Sequence, residues 1–192
     1  MKEILYLKIQ EIKDEDIRVF VKTALDNAEE QFWHIPCSGT GKYHPPENQG
    51  DGGVIRHLIK CVETSKDLCR YFGLNEEETD IVIAGTILHD IKKYGEPWGE
   101  VTHPEHGKMG SDFLERFELK EPAKTQIRDC VRYHMRQFTG TKEDIERASN
   151  PDKKELIVQL ADLFCSRKYA SWLPGIELNK EDIDNFFNRF IV

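Results

Sequence analysis

Residues 78–93 read ETDIVIAGTILHDIKK. From Ile81 to Leu88 the run is apolar on nearly every side, and a helix apolar all round belongs at the centre of a bundle. Asn75 with Glu78 supplies an N-terminal capping pattern. Gly95 and Pro97 supply the stop, so the spacing predicts a central helix that carries His89, Asp90 and Lys93 on its last turns.

The chain on either side is also helical in pattern. VIRHLIKCVETSKDLCRYF (54–72) reads as a helix ending at Gly73, a favourable residue just past a helix end. Before it, PCSGTGKYHPPENQGDGG (36–53) is rich in Gly, Pro, Ser and Asn and forms the one long loop, a kind of segment that often carries function. Another helix is expected from near Asp14 to about Trp33, with Pro36 closing it. Residues 4–12 (ILYLKIQEI) are ambiguous between a short strand and a lead-in to that helix. Downstream, Thr102 and Glu105 suggest a capping box opening HPEHGKMGSDFLERF (103–117), and further helices are expected at about 121–138, 153–172 and 180–191. Alternating strand patterns are nearly absent, so the sequence predicts an all-α fold.

The 192 residues suit one domain, and 39% hydrophobic residues suffice for a core. The formal net charge of −8 argues against broad electrostatic binding to nucleic acid. Five cysteines, with no CxxC, suggest neither a disulfide framework nor a cysteine zinc cage; reduced thiols in a cytoplasmic setting are the plain expectation. No run approaches the roughly 18 apolar residues needed to span a membrane. The N-terminal stretch mixes charge into every turn and does not read as a signal peptide.

The histidines carry the chemical signal through the helix faces they occupy. His57 shares a face with Val54, Cys61 and Leu68; His106 with Gly110, Phe113 and Phe117; His134 with Ile127, Val131 and Phe138. Asp162 lies within ELIVQLADLFCS, which is apolar on almost every side, and a buried carboxylate is costly unless it is paired or bound to a metal. The His89-Asp90 dipeptide alone means little, since about half an occurrence is expected by chance at this composition. A lone inward histidine is more often a satisfied core residue. One shared polar centre nevertheless explains five helices, each burying an imidazole or carboxylate, more simply than five separate accidents. Neutral imidazoles with carboxylates are ligands for Fe, Mn, Zn, Ni or Co.

The order His57, His89-Asp90, His106, His134, Asp162 resembles the HD superfamily of metal-dependent phosphohydrolases, over about residues 36–170. ILHDIKK is similar to the family's apolar run, HD and x-x-Lys signature. HGKMGSDFL is similar to the H-G-x-x-G-x-x-x-L element of the two-metal branch that includes bacterial diadenosine tetraphosphate hydrolases, and VRYHM and QLADLFCSR are similar to that branch's later elements. P-C-S-G-T-G-K-Y-H-P followed by GGVIRH resembles the entry segment of HD-containing 3′-to-5′ exoribonucleases, in which Gly52-Gly53 would let the loop turn tightly into the helix bearing His57. Two departures matter. IKKYG lacks the Glu-Asp pair of the alarmone-hydrolysing branch, and the single His134 without Gly-Tyr-Pro argues against cyclic-di-GMP hydrolysis.

The resemblance implies a compact HD-type helical bundle with a metal centre between helices. Residues 1–35 would be a helical lead-in packed on the core, 36–172 the HD domain and 173–192 a C-terminal helix that could pack on the core or form a dimer face. His57, His89, Asp90 and Asp162 would hold a first divalent metal (Fe, Mn, Ni, Co or Zn), and Asp90, His106 and His134 a second. Attack of a metal-bound hydroxide would cleave a nucleotide or similar small phosphate ester or anhydride. Asp90 and Lys93 would be catalytic, with Lys93, His44 and Lys42 contacting substrate. Lys92, one step off that face, is expected in solvent. His103 is expected as a helix-entry residue, and Arg132, Arg136 and Arg167 as surface residues more than phosphate contacts. The alternatives are an HD-type 3′-to-5′ exonuclease or phosphodiesterase and a non-catalytic nucleotide-binding module.

Overall fold

The computed structural model describes residues 1–38, 44–135 and 142–166, and every regular element among them is helical. In chain order these are α1 (Lys2–Ile9), α2 (Glu15–Asp26), a 3-10 turn at Glu30–Trp33, a second at Pro46–Asn48, α3 (Gly53–Phe72), α4 (Glu76–Leu88), α5 (His106–Leu114), α6 (Ala123–Tyr133), α7 (Lys142–Ser149) and α8 (Lys153–Ser166). The expected helix at 180–191, the end of the one at 153–172, Lys42, Arg136 and Arg167 lie outside the described residues. No helix among the described residues is long and apolar enough to cross a membrane.

The uniform apolarity of α4 has the expected consequence: Asp80 through Leu88 are all buried. The capping box is present, with Asn75 Oδ1 accepting from Glu78 N–H and the Glu78 carboxylate accepting from Asn75 N–H. Helices α2, α3, α6 and α8 pack on α4, α3 lies along α8, and α5 packs on α6. Asp80 ties in the N-terminal unit. Its buried carboxylate accepts the backbone N–H groups of Lys13 at 3.0 Å and Asp14 at 2.8 Å, at the entry to α2.

Residues 4–12 are largely helical, not a strand, because Leu5, Ile9 and Ile12 bury at helical spacing. Three expectations need correction. The helix expected from 14 to 33 stops at Asp26, and a separate 3-10 turn seats Phe32 and Trp33 in the core. Thr102 caps nothing at α5, whose first turn has no side-chain cap. Helix α4 ends at Leu88, so His89, Asp90 and Lys93 stand beyond it. Lys93 N–H donates to Asp90 O at 2.9 Å and Gly95 N–H to Lys92 O at 2.8 Å, the three-residue repeat of a tightened turn. In that repeat residues three apart eclipse, so Lys93 aligns with Asp90.

Two adjacent glycines let the long loop close on α3. Gly52 has φ +66°, in the left-handed region. A Cβ on Gly53 would lie 2.0 Å from Asn48 O, so only glycine admits this approach. The loop's two ends are then joined by Cys37 N–H donating to Asn48 O (3.0 Å), Gly52 N–H to His34 O (3.2 Å) and Val54 N–H to Ile35 O (3.1 Å).

Candidate metal centre

His57 projects from α3, His89 and Asp90 from the turn after α4, His106 from the start of α5, His134 from the end of α6 and Asp162 from α8. The structure brings all six side chains together. The four imidazoles and Asp90 are buried, and the Asp162 side chain is 14% exposed. His89 lies ring to ring with His57 (centroids 5.6 Å) and His134 (4.8 Å), and His134 with His106 (4.9 Å).

Backbone carbonyls set the orientation of three of the rings. His89 Nδ1 donates to Thr86 O at 2.8 Å, His106 Nδ1 to His103 O at 2.7 Å, and His134 Nδ1 to Val131 O at 2.7 Å. A carbonyl only accepts, so each Nδ1 carries a proton and Nε2 is the ring atom turned inward. This is how metal-ligating histidines are held. His89 Nε2 is buried and has no hydrogen-bond partner, standing 3.6 Å from Asp90 Oδ2 and 3.8 Å from Asp162 Oδ1. His106 Nε2 lies 3.0 Å from His134 Nε2 and 3.1 Å from Asp90 Oδ1. Two nitrogens each about 2.1 Å from one ion lie about 3.0 Å apart at the right angle of octahedral coordination and about 3.4 Å apart at the tetrahedral angle. The donor set thus fits divalent cations by both its unpartnered buried nitrogen and its spacing. His57 Nε2 meets Asp162 Oδ1 at 3.0 Å, and Ser166 Oγ donates to the same oxygen at 3.0 Å.

The electrostatics match this geometry. Burial disfavours an ionised Asp90, but the Lys93 ammonium and the His89 and His106 imidazoles outweigh it and hold its carboxyl well below the usual range. Burial likewise opposes ionisation of Asp162, which the neighbouring His57 and His89 overcome. Burial lowers His57, and it lowers His134 to about 3, reinforced by His89 and His106. Burial also opposes a charged His89, yet Asp90 and Asp162 raise it overall: positive charge is favoured at its Nε2. A proton and a metal cation compete for that position.

The neighbouring lysines divide differently from expectation. Lys93 Nζ sits on Asp90 Oδ2 at 2.5 Å, buried. Lys92 is not in solvent. It is fully buried, paired with Glu29 and with Glu96 at 3.0 Å, its ammonium 4.3 Å from the Phe113 ring centroid. The tightened turn redirects it, and Glu29, distant in sequence, had no signal that could mark it as the partner. His103 stands at the entry to α5, where its Nδ1 accepts from Glu105 N–H at 3.1 Å and its backbone O orients the His106 ring. Arg132 pairs with Glu143 on α7 at 2.7 Å.

His44 reaches the centre from the loop, buried and edge-on to His57 with centroids 5.2 Å apart. Its Nδ1 is 3.0 Å from the Cys37 thiol, a neighbour that sequence reasoning passed over. Cys61, one turn after His57, places Sγ 3.3 Å from His57 Nε2. The donor atoms of His57, Cys61, His89 and Asp162 all lie within 4.8 Å of one another, as do those of His89, Asp90 and His134, and those of Cys37, His44 and His57.

No curated protein and no solved structure matched the chain. A family model for the HD domain matches residues 54–166, more than half of the chain, and spans every residue of the cluster except those of the loop. HD domains are typically metal-dependent hydrolases. The chain belongs to the HD domain family.

Proposed function

We propose that the protein is a metal-dependent phosphohydrolase that cleaves a phosphate ester or anhydride of a nucleotide or similar small compound. The observation that carries this reading is the convergence of the three backbone-oriented Nε2 atoms of His89, His106 and His134 on the Asp90 and Asp162 carboxylates, with His89 Nε2 buried and unpartnered. His57, His89, Asp90 and Asp162 would hold one cation, and Asp90, His106 and His134 a second. Asp90 is shaped to bridge, since Oδ1 faces His106 while Oδ2 faces His89.

Bound there, the cations would bring a water's acidity toward neutral pH and neutralise phosphoryl oxygens. The protein's own groups do the rest. Lys93 keeps Asp90 ionised and supplies positive charge beside the substrate phosphate. His44 stands edge-on to His57 from the loop, where it would contact substrate. The net charge of −8 favours a small substrate over a long polymer.

The test is hydrolysis of a phosphomonoester, a phosphodiester and a panel of nucleotides by metal-stripped protein reloaded with Mn, Fe, Co, Ni or Zn. Metal-restored turnover that Asp90→Ala abolishes supports the reading. Thermal stabilisation by nucleotide with no turnover under any metal would replace it with the binding-module reading.

A further inference from the structure

Cys37 and His44 are the two described loop residues that stand next to the centre, and neither has a role in holding its two cations. The Cys37 Sγ lies 3.0 Å from His44 Nδ1 and 3.7 Å from its Nε2. Both side chains are buried against His57. Donor atoms of Cys37, His44 and His57 all fall within 4.8 Å of one another, so a sulfur and two imidazole nitrogens face one small space. Soft sulfur with imidazole selects zinc-like cations, whereas the carboxylate-rich centre beside it also suits Mn or Fe. The loop is fixed in this place by the Cys37 N–H bond to Asn48 O and by the contact that only Gly53 allows.

We infer that Cys37, His44 and His57 form a thiophilic-cation position that competes with the metal centre for His57, so that excess zinc inhibits the enzyme by seating itself there. The inference rests on the metal-centre reading, because His57 is shared. On binding, the thiol releases its proton to solvent and the thiolate, His44 and His57 coordinate the cation; no electron transfer is involved. A cation in this position removes one ligand from the first metal and ties down His44.

Cobalt reports this directly, because a thiolate ligand adds a near-ultraviolet charge-transfer band to the visible bands of bound cobalt. Metal-stripped full-length protein is titrated with excess Co²⁺ and compared with Cys37→Ser, Cys37→Ala and Cys61→Ser. The expected result is a charge-transfer band in wild type and Cys61→Ser, absent from both Cys37 variants, with visible bands retained in all. A band lost in Cys61→Ser and kept in the Cys37 variants overturns the assignment. Visible bands without charge transfer in wild type overturn this inference alone, and no cobalt signal at all overturns the metal centre with it. In parallel, zinc should inhibit manganese-supported turnover, and Cys37→Ser should require at least roughly tenfold more zinc. Equal zinc sensitivity contradicts the proposal.

Discussion

His106 Nε2 lies 3.0 Å from His134 Nε2 and 3.1 Å from Asp90 Oδ1, while each ring's Nδ1 donates to a backbone carbonyl. With Nδ1 so engaged, both Nε2 atoms and the Asp90 oxygen are left as the donors a shared cation would use. His134→Ala should therefore lower bound metal from two equivalents to one, with the first position kept. Metal content per chain by mass spectrometry checks this, and an unchanged stoichiometry would contradict it.

Asp90 faces both halves of the centre, so its loss should be more severe. Asp90→Ala should remove both metals and all turnover, whereas a site built on separate ligands would retain one. The same measurement on this variant distinguishes the two.

Lys93 and Asp90 form a buried pair, and breaking such a pair by removing one partner costs about 3–5 kcal/mol. Lys93→Met should lower the stability of the metal-free protein by that order in urea unfolding. Added Mn²⁺ should restore more stability to the variant than to wild type, because cations then neutralise Asp90. Equal gains would mean that Asp90 does not face the metal.

Burial, reinforced by His89 and His106, lowers His134 to about 3, below the roughly 6.5 of an unfolded histidine. The unfolded chain therefore binds a proton first as pH falls, and stability is lost between about pH 6.5 and 3, at about 1.4 kcal/mol per pH unit. In chelator, unfolding free energy between pH 6.5 and 5 should fall more steeply for wild type than for His134→Gln. Parallel slopes would show that His134 is not buried in its neutral form.

Gly107 sets how closely α5 approaches α6. A Cβ there would lie 2.7 Å from Arg132 O, 3.0 Å from Val131 O and 3.3 Å from His134 Cε1. Gly107→Ala should cost about 1–3 kcal/mol, as overpacking does, and should also weaken the second metal position by moving His106 from His134. Loss of stability with full metal content would separate the packing role from the site.

Much of this arrangement could be read from helix faces. The apolar run 81–88 announced a central helix, and inward-facing His57, His106 and His134 were visible from periodicity alone. The H-G-x-x-G element was legible only through resemblance; its physical reason, contact of Gly107 with the α6 backbone, needs the third dimension. Lys92 was misplaced because helical periodicity was carried past Leu88, where the chain tightens into three-residue turns. Asp80 takes its role from Lys13 and Asp14, far along the chain, which spacing does not reveal, and Cys37 meets His44 only because the loop between them folds back.

The most direct test of the central claim is metal content by mass spectrometry on protein purified without a metal-affinity tag, wild type beside His89→Ala. The account predicts near-stoichiometric transition metal in wild type and its loss from the first position in the variant. No metal in either protein, with no uptake of Mn, Fe, Ni or Co, would contradict it and return the histidines to the core.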